Sequence, residues 1–426
     1  MSIVAIAIQS GFLLIFGLTS LLTLLFLVRQ VGLSLLVVGQ PQSSPYSRVV
    51  PLEWPRVTVL APAHNEERVI GDCLGRLMAL DYPADRLHIL VVNDRSTDGT
   101  AAITEACAAK SRGRMSVLHR PAGAAPGKPA AVMDALAAID SDVVVFFDAD
   151  YLPEPALLKM LVAPFVDPQV GATMGRVVPY NTGANLLTRL LDLERRGGYT
   201  IDQAGRAQLN WLPQFGGTVG GVRMQALQAV GGWSSTTLAE DTDLTYRLFL
   251  GGWTVEYVDD AECYEESPEC WTVRFRQVRR WACGHDQCMF KYFLPVLRAR
   301  GQPLMRRLDA ALVLLFFLFP PLALVNLGAA LVYPTLYAYP PLNFAIVSAA
   351  PFVVSFGNFA PYFQIMAAVL RDRQPAAATM LPLLFLSSTV SMLAASQGLL
   401  FALKGLARLP SLGWDKTRRY RSAAHA

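Results

Sequence analysis

Residues Val143–Asp150 read VVVFFDAD, five apolar residues followed by two aspartates with an alanine between them. So short a β-branched and aromatic run predicts a strand over Val143–Phe147, buried on both faces. Asp148 and Asp150 then stand at positions i and i+2, which in extended chain point to one side, roughly 7 Å apart. Two carboxylates so placed repel unless a cation lies between them or water screens them. Mg²⁺ or Mn²⁺ suits carboxylate and phosphate oxygens together, so the pair fits a metal-bound nucleoside diphosphate. The plainer reading is an exposed acidic turn, because D-x-D alone is common.

Upstream the same grammar repeats. Val57–Ala61 ends at Pro62 and the cluster HNEE, and helix-like sequence covers Glu66–Leu80. His88–Val92 ends in NDRSTDGT, Thr100–Lys110 reads as a helix, Ser116–His119 as a strand and Pro129–Ala138 as a helix. Strands alternating with helices predict βαβ units, an α/β fold whose parallel sheet is covered on both faces. Ligands bind beyond the carboxyl ends of such strands, where HNEE, NDRSTDGT and DAD all fall. Asn65-Glu66-Glu67 also suits a helix start with favourable acids, and the second cluster a turn plus N-cap. Their recurrence at successive strand ends weighs toward a ligand. Lys128, after Gly127, either reaches a phosphate or is a solvated loop lysine.

Downstream, GGTVGGVRMQALQAVGGW (216–233) is rich in glycine, which lets backbone approach a ligand closely. Glu240-Asp241 then opens an amphipathic helix in LAEDTDLTYRL. First-turn acids are ordinary, yet a carboxylate held at a sheltered helix start also suits a general base. Gln277-Val278-Arg279-Arg280-Trp281, flanked by Arg274, Arg276 and Lys291, reads as an interfacial helix with snorkelling arginines and a Trp anchor. That reading does not require Gln, Arg and Trp at this spacing.

The chain has 426 residues, 53% hydrophobic and 16% charged, against about 25% charged in soluble domains. A disulfide miniprotein, a disordered tail protein and a simple soluble enzyme are excluded. The net charge of +4 is too small for nucleic-acid binding. Ile3–Val28 carries no charge and is long enough to cross a core of about 30 Å. It lacks the n-region and cleavage site of a signal peptide. Arg29, Arg48 and Arg56 follow it and place the central block in the cytoplasm. The uncharged run Ala310–Leu370 predicts two spans with a turn at Tyr333–Pro341, and Gln374–Leu403 one more. Three C-terminal spans would put the basic tail Lys404–Arg421 outside, against the charge bias. Either the last run, broken near Pro382, is re-entrant or interfacial, or the bias is broken. The six cysteines are expected as reduced thiols. Cys263, Cys270, Cys283 and Cys288 with His285 match no common zinc spacing.

PAHNEE, NDRSTDGT, GK, FFDAD, AED and QVRRW together resemble, in order and spacing, the family 2 glycosyltransferases. More narrowly they resemble the membrane-embedded synthases of cellulose, chitin, hyaluronan and poly-N-acetylglucosamine. The match covers roughly Val57–Trp281. The resemblance implies an α/β GT-A (nucleotide-diphospho-sugar transferase) domain with transmembrane and interfacial helices, and inverting transfer from a UDP-sugar. It implies that Pro62, His64, Glu66 and Asp94 line the nucleoside pocket and Lys128 approaches the diphosphate. Asp148 and Asp150 would hold nucleotide and metal, and Asp241, beside Glu240, would be the base. Gln277, Arg280 and Trp281 would sit by the diphosphate and the acceptor. His64 stands where the family usually has an aromatic, and Asn93 where a first aspartate is frequent. Trp414-Asp415-Lys416-Thr417-Arg418-Arg419 is similar in spacing to the gating-loop motif F-x-V-T-x-K of cellulose synthases. There Arg419 would reach the diphosphate and Trp414 would cover the site, against the plainer reading of a frayed basic tail.

The implied organisation is a membrane helix (1–40), a cytoplasmic catalytic domain (55–265), interfacial helices (266–305), a membrane region (306–404) and a cytoplasmic tail (405–426). The expected product is a β-linked polysaccharide made from UDP-glucose or UDP-N-acetylglucosamine and secreted through an inner-membrane, multi-pass enzyme, with accessory secretion subunits as partners. The alternative is a single transfer to a lipid. A non-catalytic sugar-binding or transport protein is opposed by the retained acidic and Q-x-x-R-W set.

Overall fold

The computed structural model describes residues 3–39, 44–337, 360–407 and 419–420. Eight strands form one sheet: β1 (Val57–Ala63), β2 (Leu87–Asn93), β3 (Met115–His119), β4 (Val143–Phe146), β5 (Leu152–Pro153), β6 (Val170–Pro179), β7 (Gly220–Arg223) and β8 (Thr254–Glu265), in the order β3-β2-β1-β4-β7-β6-β8-β5. The first four pair in parallel, as the alternation predicts. Beyond them the sheet is mixed: β7 runs antiparallel to β4 and β6, and β5 antiparallel to β8. The purely parallel expectation therefore holds for one half. The return of the chain through the glycine-rich 216–221 stretch breaks it, where a Cβ on Gly220 would come within 2.4 Å of the Thr173 carbonyl.

The continuous apolar runs follow from burial on both faces. Val57, Val59, Ala61, Val143, Val145 and Phe147 enter one core with Ile70, Leu74 and Leu77. Leu60, Val144 and Phe146 enter the other with Val132, Tyr246 and Phe249. Each such side chain contributes on the order of 1.5–3 kcal/mol. The helix expected from Glu66 begins at Ile70 instead. Asn65 takes a left-handed φ of 55°, which turns the chain before a helix can start.

Among the described residues two helical segments are long and apolar enough to cross a membrane, Gln9–Gly39 and Pro375–Leu406. The second opens as a 3₁₀ stretch over Pro375–Leu383 and becomes α-helical from Leu384, so the irregularity expected at Pro382 is present. Leu304–Leu314 and Phe319–Ala329 form a pair bent by 60°, which makes a third candidate if counted as one span. The turn expected from Tyr333 is helical through Tyr337, and the remainder of that segment lies outside the described residues. Ala360–Arg371 is a short helix packed against the Ile3–Gly39 helix and the π-helical turn Gly197–Gln203.

One buried ion network ties these parts together. Arg29, on the first long helix, bonds Asp309 through Nε at 2.5 Å and also pairs with Asp202, which itself pairs with Arg206. Asp309 belongs to the Leu304–Leu314 helix and Asp202 to the π-turn, so one guanidinium joins three segments. Removing one member of a buried pair costs about 3–5 kcal/mol, because the partner charges stay buried. Arg29→Ala is therefore expected to destabilise the detergent-solubilised protein by about that amount. A thermal-unfolding midpoint unchanged from wild type would contradict it.

Candidate active site

The clusters at the β1 and β2 ends divide into residues that tie the two loops to each other and residues bonded at the strand ends. Asn65 Oδ1 accepts from the Thr97 N–H at 2.7 Å, Glu67 from the Gly99 N–H at 2.8 Å, and Asp98 from the Thr100 N–H at 3.0 Å. These residues stitch the two loops together, while the helices that follow start behind Val69 and Gly99 with no side-chain cap. Pro62 is the penultimate residue of β1. His64 Nδ1 donates to the Asp94 carbonyl at 2.6 Å, and the Glu66 N–H donates to Thr100 Oγ1 at 2.8 Å. Asp94 is buried and takes Arg95 Nε at 2.8 Å and an Arg120 N–H at 2.6 Å. Burial alone would raise its pKa, but the bonds from Arg95 and Arg120 outweigh it and hold the carboxyl below the ordinary range. Asn93 bonds the His119 ring at 2.9 Å.

The β4 end carries the two aspartates. Lys128 Nζ donates to Asp148 Oδ1 at 2.6 Å and to the Gly217 carbonyl at 3.0 Å. Burial works against the Lys128 charge, but Asp148 and Glu240 dominate and raise its pKa, so it stays an ammonium. Asp150 is buried and accepts from an Arg419 N–H at 2.7 Å, and Arg419 Nε also donates to Glu66 at 3.3 Å. Burial, reinforced by Asp148, Glu66 and Glu265 and opposed by Arg419, pushes Asp150 up to about 7. Arg419 thus stands beside Asp150 and Glu66, while Trp414 and Thr417 lie outside the described residues.

Glu240 and Asp241 open the Glu240–Leu250 helix. Burial raises both pKa values. The Asp241 charge adds to the rise at Glu240, while Lys128 and Arg280 oppose it at both residues. Asp241 Oδ1 accepts from the Thr242 N–H at 2.6 Å. Gly217 sits against Asp241 with φ +70°, and a Cβ there would come within 3.1 Å of the Asp241 Cβ. Asp243, another acid of the same turn, is fully consumed by Arg247, Lys291 and Tyr292, each at 2.7 Å. It holds the helix in place and is not available as a base.

The Trp271–Arg298 helix presents two faces. Gln277 Oε1 accepts from an Arg274 N–H at 3.0 Å, and the Arg195 and Arg274 guanidiniums both stand 5.4 Å from the Trp281 ring centre. Arg280 acts on Glu240 and Asp241. Arg279 turns the other way and bonds Gln397 of the last membrane-length helix at 2.9 Å. Gly398 lets that helix approach: a Cβ there would lie 2.8 Å from Ala282 Cβ. Arg120, Glu265 and Arg195 are supporting residues that sequence reasoning missed, while Arg274 was read only as a flanking interfacial arginine and Gly217 only as part of the glycine-rich stretch. Glu265-Glu266, at the end of β8, carries the strand-end signal that marked the other clusters. Arg120 directly follows β3 and stands alone there, and Arg195 and Arg274 lie on helices, so none belongs to a strand-end cluster of acids. His285, by contrast, bonds the Val313 carbonyl at 3.0 Å, and among the described residues no three His, Cys, Asp or Glu side chains gather as a metal site.

The strand-end carboxylates, Lys128 and the Glu240–Asp241 helix start thus gather in one place, with Arg280 near enough to act on both acids of that helix. The family described as "Glycosyltransferase like family 2" matches residues 55–284, and the chain belongs to it. A probable glycosyltransferase, YdaM of Bacillus subtilis, is 36% identical over 241 residues, 56% of this chain and 57% of that protein. The beta-monoglucosyldiacylglycerol synthase of Synechocystis sp. is 33% identical over 304 residues, 70% of this chain and 60% of that one. The chain thus spans less than two thirds of the length of these relatives. The mannosyltransferase PcManGT of Pyrobaculum calidifontis, solved with GDP-Man and Mn²⁺, shares the fold with a TM-score of 0.55 and 21% identity, over 90% of this chain and 99% of that one.

The pKa of Asp150 fixes a pH dependence. Its carboxyl holds a proton to about pH 7 when folded and to about pH 3.9 when unfolded. The folded state therefore binds more protons between those limits, and this contribution to stability is full below the lower value and lost as pH rises through the upper. Without nucleotide or metal, the thermal midpoint is expected to fall between pH 5 and pH 8, and Asp150→Asn to flatten the fall and exceed wild type at pH 8. Parallel pH profiles for the two proteins would refute this.

Proposed function

We propose that the protein is an inverting glycosyltransferase that uses a UDP-sugar, UDP-glucose or UDP-N-acetylglucosamine, and works as a multi-pass inner-membrane protein with its catalytic domain in the cytoplasm. The observation that carries the reading is the convergence of Lys128 on Asp148 with Glu240 and Asp241 close enough to shift one another's protons. Asp241 receives the proton of the acceptor hydroxyl. Its burial raises its basicity, and the Thr242 N–H fixes the carboxylate. The acceptor oxygen attacks the anomeric carbon opposite the UDP, so an α-linked donor gives a β-linked product. Lys128, Arg280 and Arg419 supply positive charge where the diphosphate departs.

Asp148 and Asp150 fit a divalent ion, since their oxygens are hard donors and the acids around Asp150 leave it short of positive charge. Mg²⁺ or Mn²⁺ bound there would neutralise charge on the leaving diphosphate. UDP release is expected to cease in excess EDTA and return with Mn²⁺. Undiminished release in EDTA would remove the metal from the reading.

Two acceptors come into question. The end of a β-linked polysaccharide is the reading the order of the motifs suggests. A lipid follows from the relatives named beta-monoglucosyldiacylglycerol synthase, one of them 33% identical over 70% of this chain. With UDP-glucose and diacylglycerol vesicles, a single discrete glycolipid favours the second, and a ladder of products the first.

Asp241→Asn preserves the helix start, because a lost first-turn charge costs only about 0.3–1 kcal/mol. Transfer is expected to fall by about 10²–10⁴-fold, with UDP affinity unchanged. A folded variant retaining more than about a tenth of wild-type turnover would move the base to Glu240.

A further inference from the structure

The Leu186–Arg196 helix contributes no residue to the motifs, yet its last turn touches both ends of the site. Arg195 Nε donates to Glu265 Oε1 at 2.6 Å. The other oxygen of Glu265 accepts from the Tyr151 hydroxyl at 2.9 Å, and Tyr151 is the residue after Asp150. The Arg195 guanidinium stands 5.4 Å from the Trp281 ring centre. Its neighbour Glu194 pairs at 2.5 Å with Arg274, which itself stands over Trp281 and donates to Gln277. A continuous chain of contacts thus runs from Tyr151 through Glu265 and Arg195 to Trp281. Tyr151 and Glu265 are buried, and a buried charge-assisted pair beside an aromatic face keeps a fixed geometry.

We propose that Arg195 is a positioning residue that fixes Trp281, on the acceptor side, relative to the Asp150–Tyr151 end of the donor site, so that its loss weakens use of the acceptor while nucleotide binding is kept. The proposal rests on the reading of Trp281 as lying beside the acceptor. A guanidinium can meet Glu265 through its edge while its plane covers an indole. An ammonium is a point charge and cannot do both. Charge alone is therefore insufficient, and lysine should not replace Arg195.

The test compares wild type with Arg195→Lys, Arg195→Gln and Tyr151→Phe in the full chain. The readouts are UDP affinity, the KM for diacylglycerol vesicles or a short β-glucan with UDP-glucose, and the fluorescence of Trp281, taken as the difference from Trp281→Phe. Both Arg195 variants are expected to raise the acceptor KM by about tenfold, with UDP affinity within about twofold of wild type. Both should also shift the Trp281 fluorescence, and Tyr151→Phe should move the same readouts less. Wild-type behaviour of Arg195→Lys would overturn the proposal, as would an equal loss of UDP affinity or an unmoved Trp281 signal in Arg195→Gln. Absence of transfer by the wild type would instead defeat the enzymatic reading, and the Trp281 signal would still decide whether Arg195 holds the indole.

Discussion

The site depends on an excess of carboxylates gathered at one edge of the sheet. Glu66, Asp94, Asp148, Asp150, Glu240, Asp241, Glu265 and Glu266 come from the ends of four strands and the start of one helix. Left alone, such a cluster would protonate or force the strands apart. The fold answers with cations brought from elsewhere: Arg120 for Asp94, Lys128 for Asp148, Arg195 for Glu265 and Arg419 for Asp150. At Asp150 the answer is incomplete, and its carboxyl stays near neutrality despite Arg419. A site with this residual imbalance favours a ligand that brings its own cation, which is the chemistry of a metal-bound diphosphate.

The same balance explains which parts of the site could be read from sequence. Strand-end acids announce themselves, because a polar cluster after a buried apolar run has few structural reasons to exist. Asp148, Asp150 and Glu66 were legible for that reason, and so were the four parallel strands. Of the cations that hold them, Lys128 and Arg419 stand in motifs read from sequence, and Arg120 and Arg195 do not. Arg120, just past β3, and Arg195 and Arg274, on helices, are separated in sequence from the acids they serve, and a lone arginine looks the same whether it faces solvent or a buried carboxylate. Asp243 shows the converse. It shares the helix turn of Glu240 and Asp241, and only the three bonds from Arg247, Lys291 and Tyr292 mark it as structural. The mixed half of the sheet was also hidden. Its strands are joined by long excursions, and β7 is made of glycines that carry little strand signal.

The long apolar helices and the sheet domain are not independent bodies joined by a linker. The Tyr246 hydroxyl, on the helix that begins with Glu240 and Asp241, donates to the Ala310 carbonyl at 2.8 Å. Ala310 neighbours Asp309, the residue that Arg29 holds from the first long helix. The Glu240–Leu250 helix is thereby referenced to the apolar helices through two successive contacts. Gly398 does the same for the last long helix, whose close packing places it against Ala282, one residue past Trp281.

The Trp271–Arg298 helix is consequently shared by two surroundings. Gln277, Arg280 and Trp281 face the carboxylates and their cations, while Arg279, inside the same motif, bonds Gln397 on the apolar side. A helix rotation that served one face would break the other, so the motif is pinned from both. Under the proposed function, this arrangement suits an acceptor that belongs to neither compartment alone. A lipid headgroup entering from the bilayer and a polymer end leaving through it both need a site whose acceptor wall is the last element before the membrane. The geometry requires that wall to be rigid, because in-line attack tolerates little misplacement of the acceptor oxygen. Rigidity here comes from paired charges and stacked cations around Trp281, and not from apolar packing, which the helix uses on its opposite side.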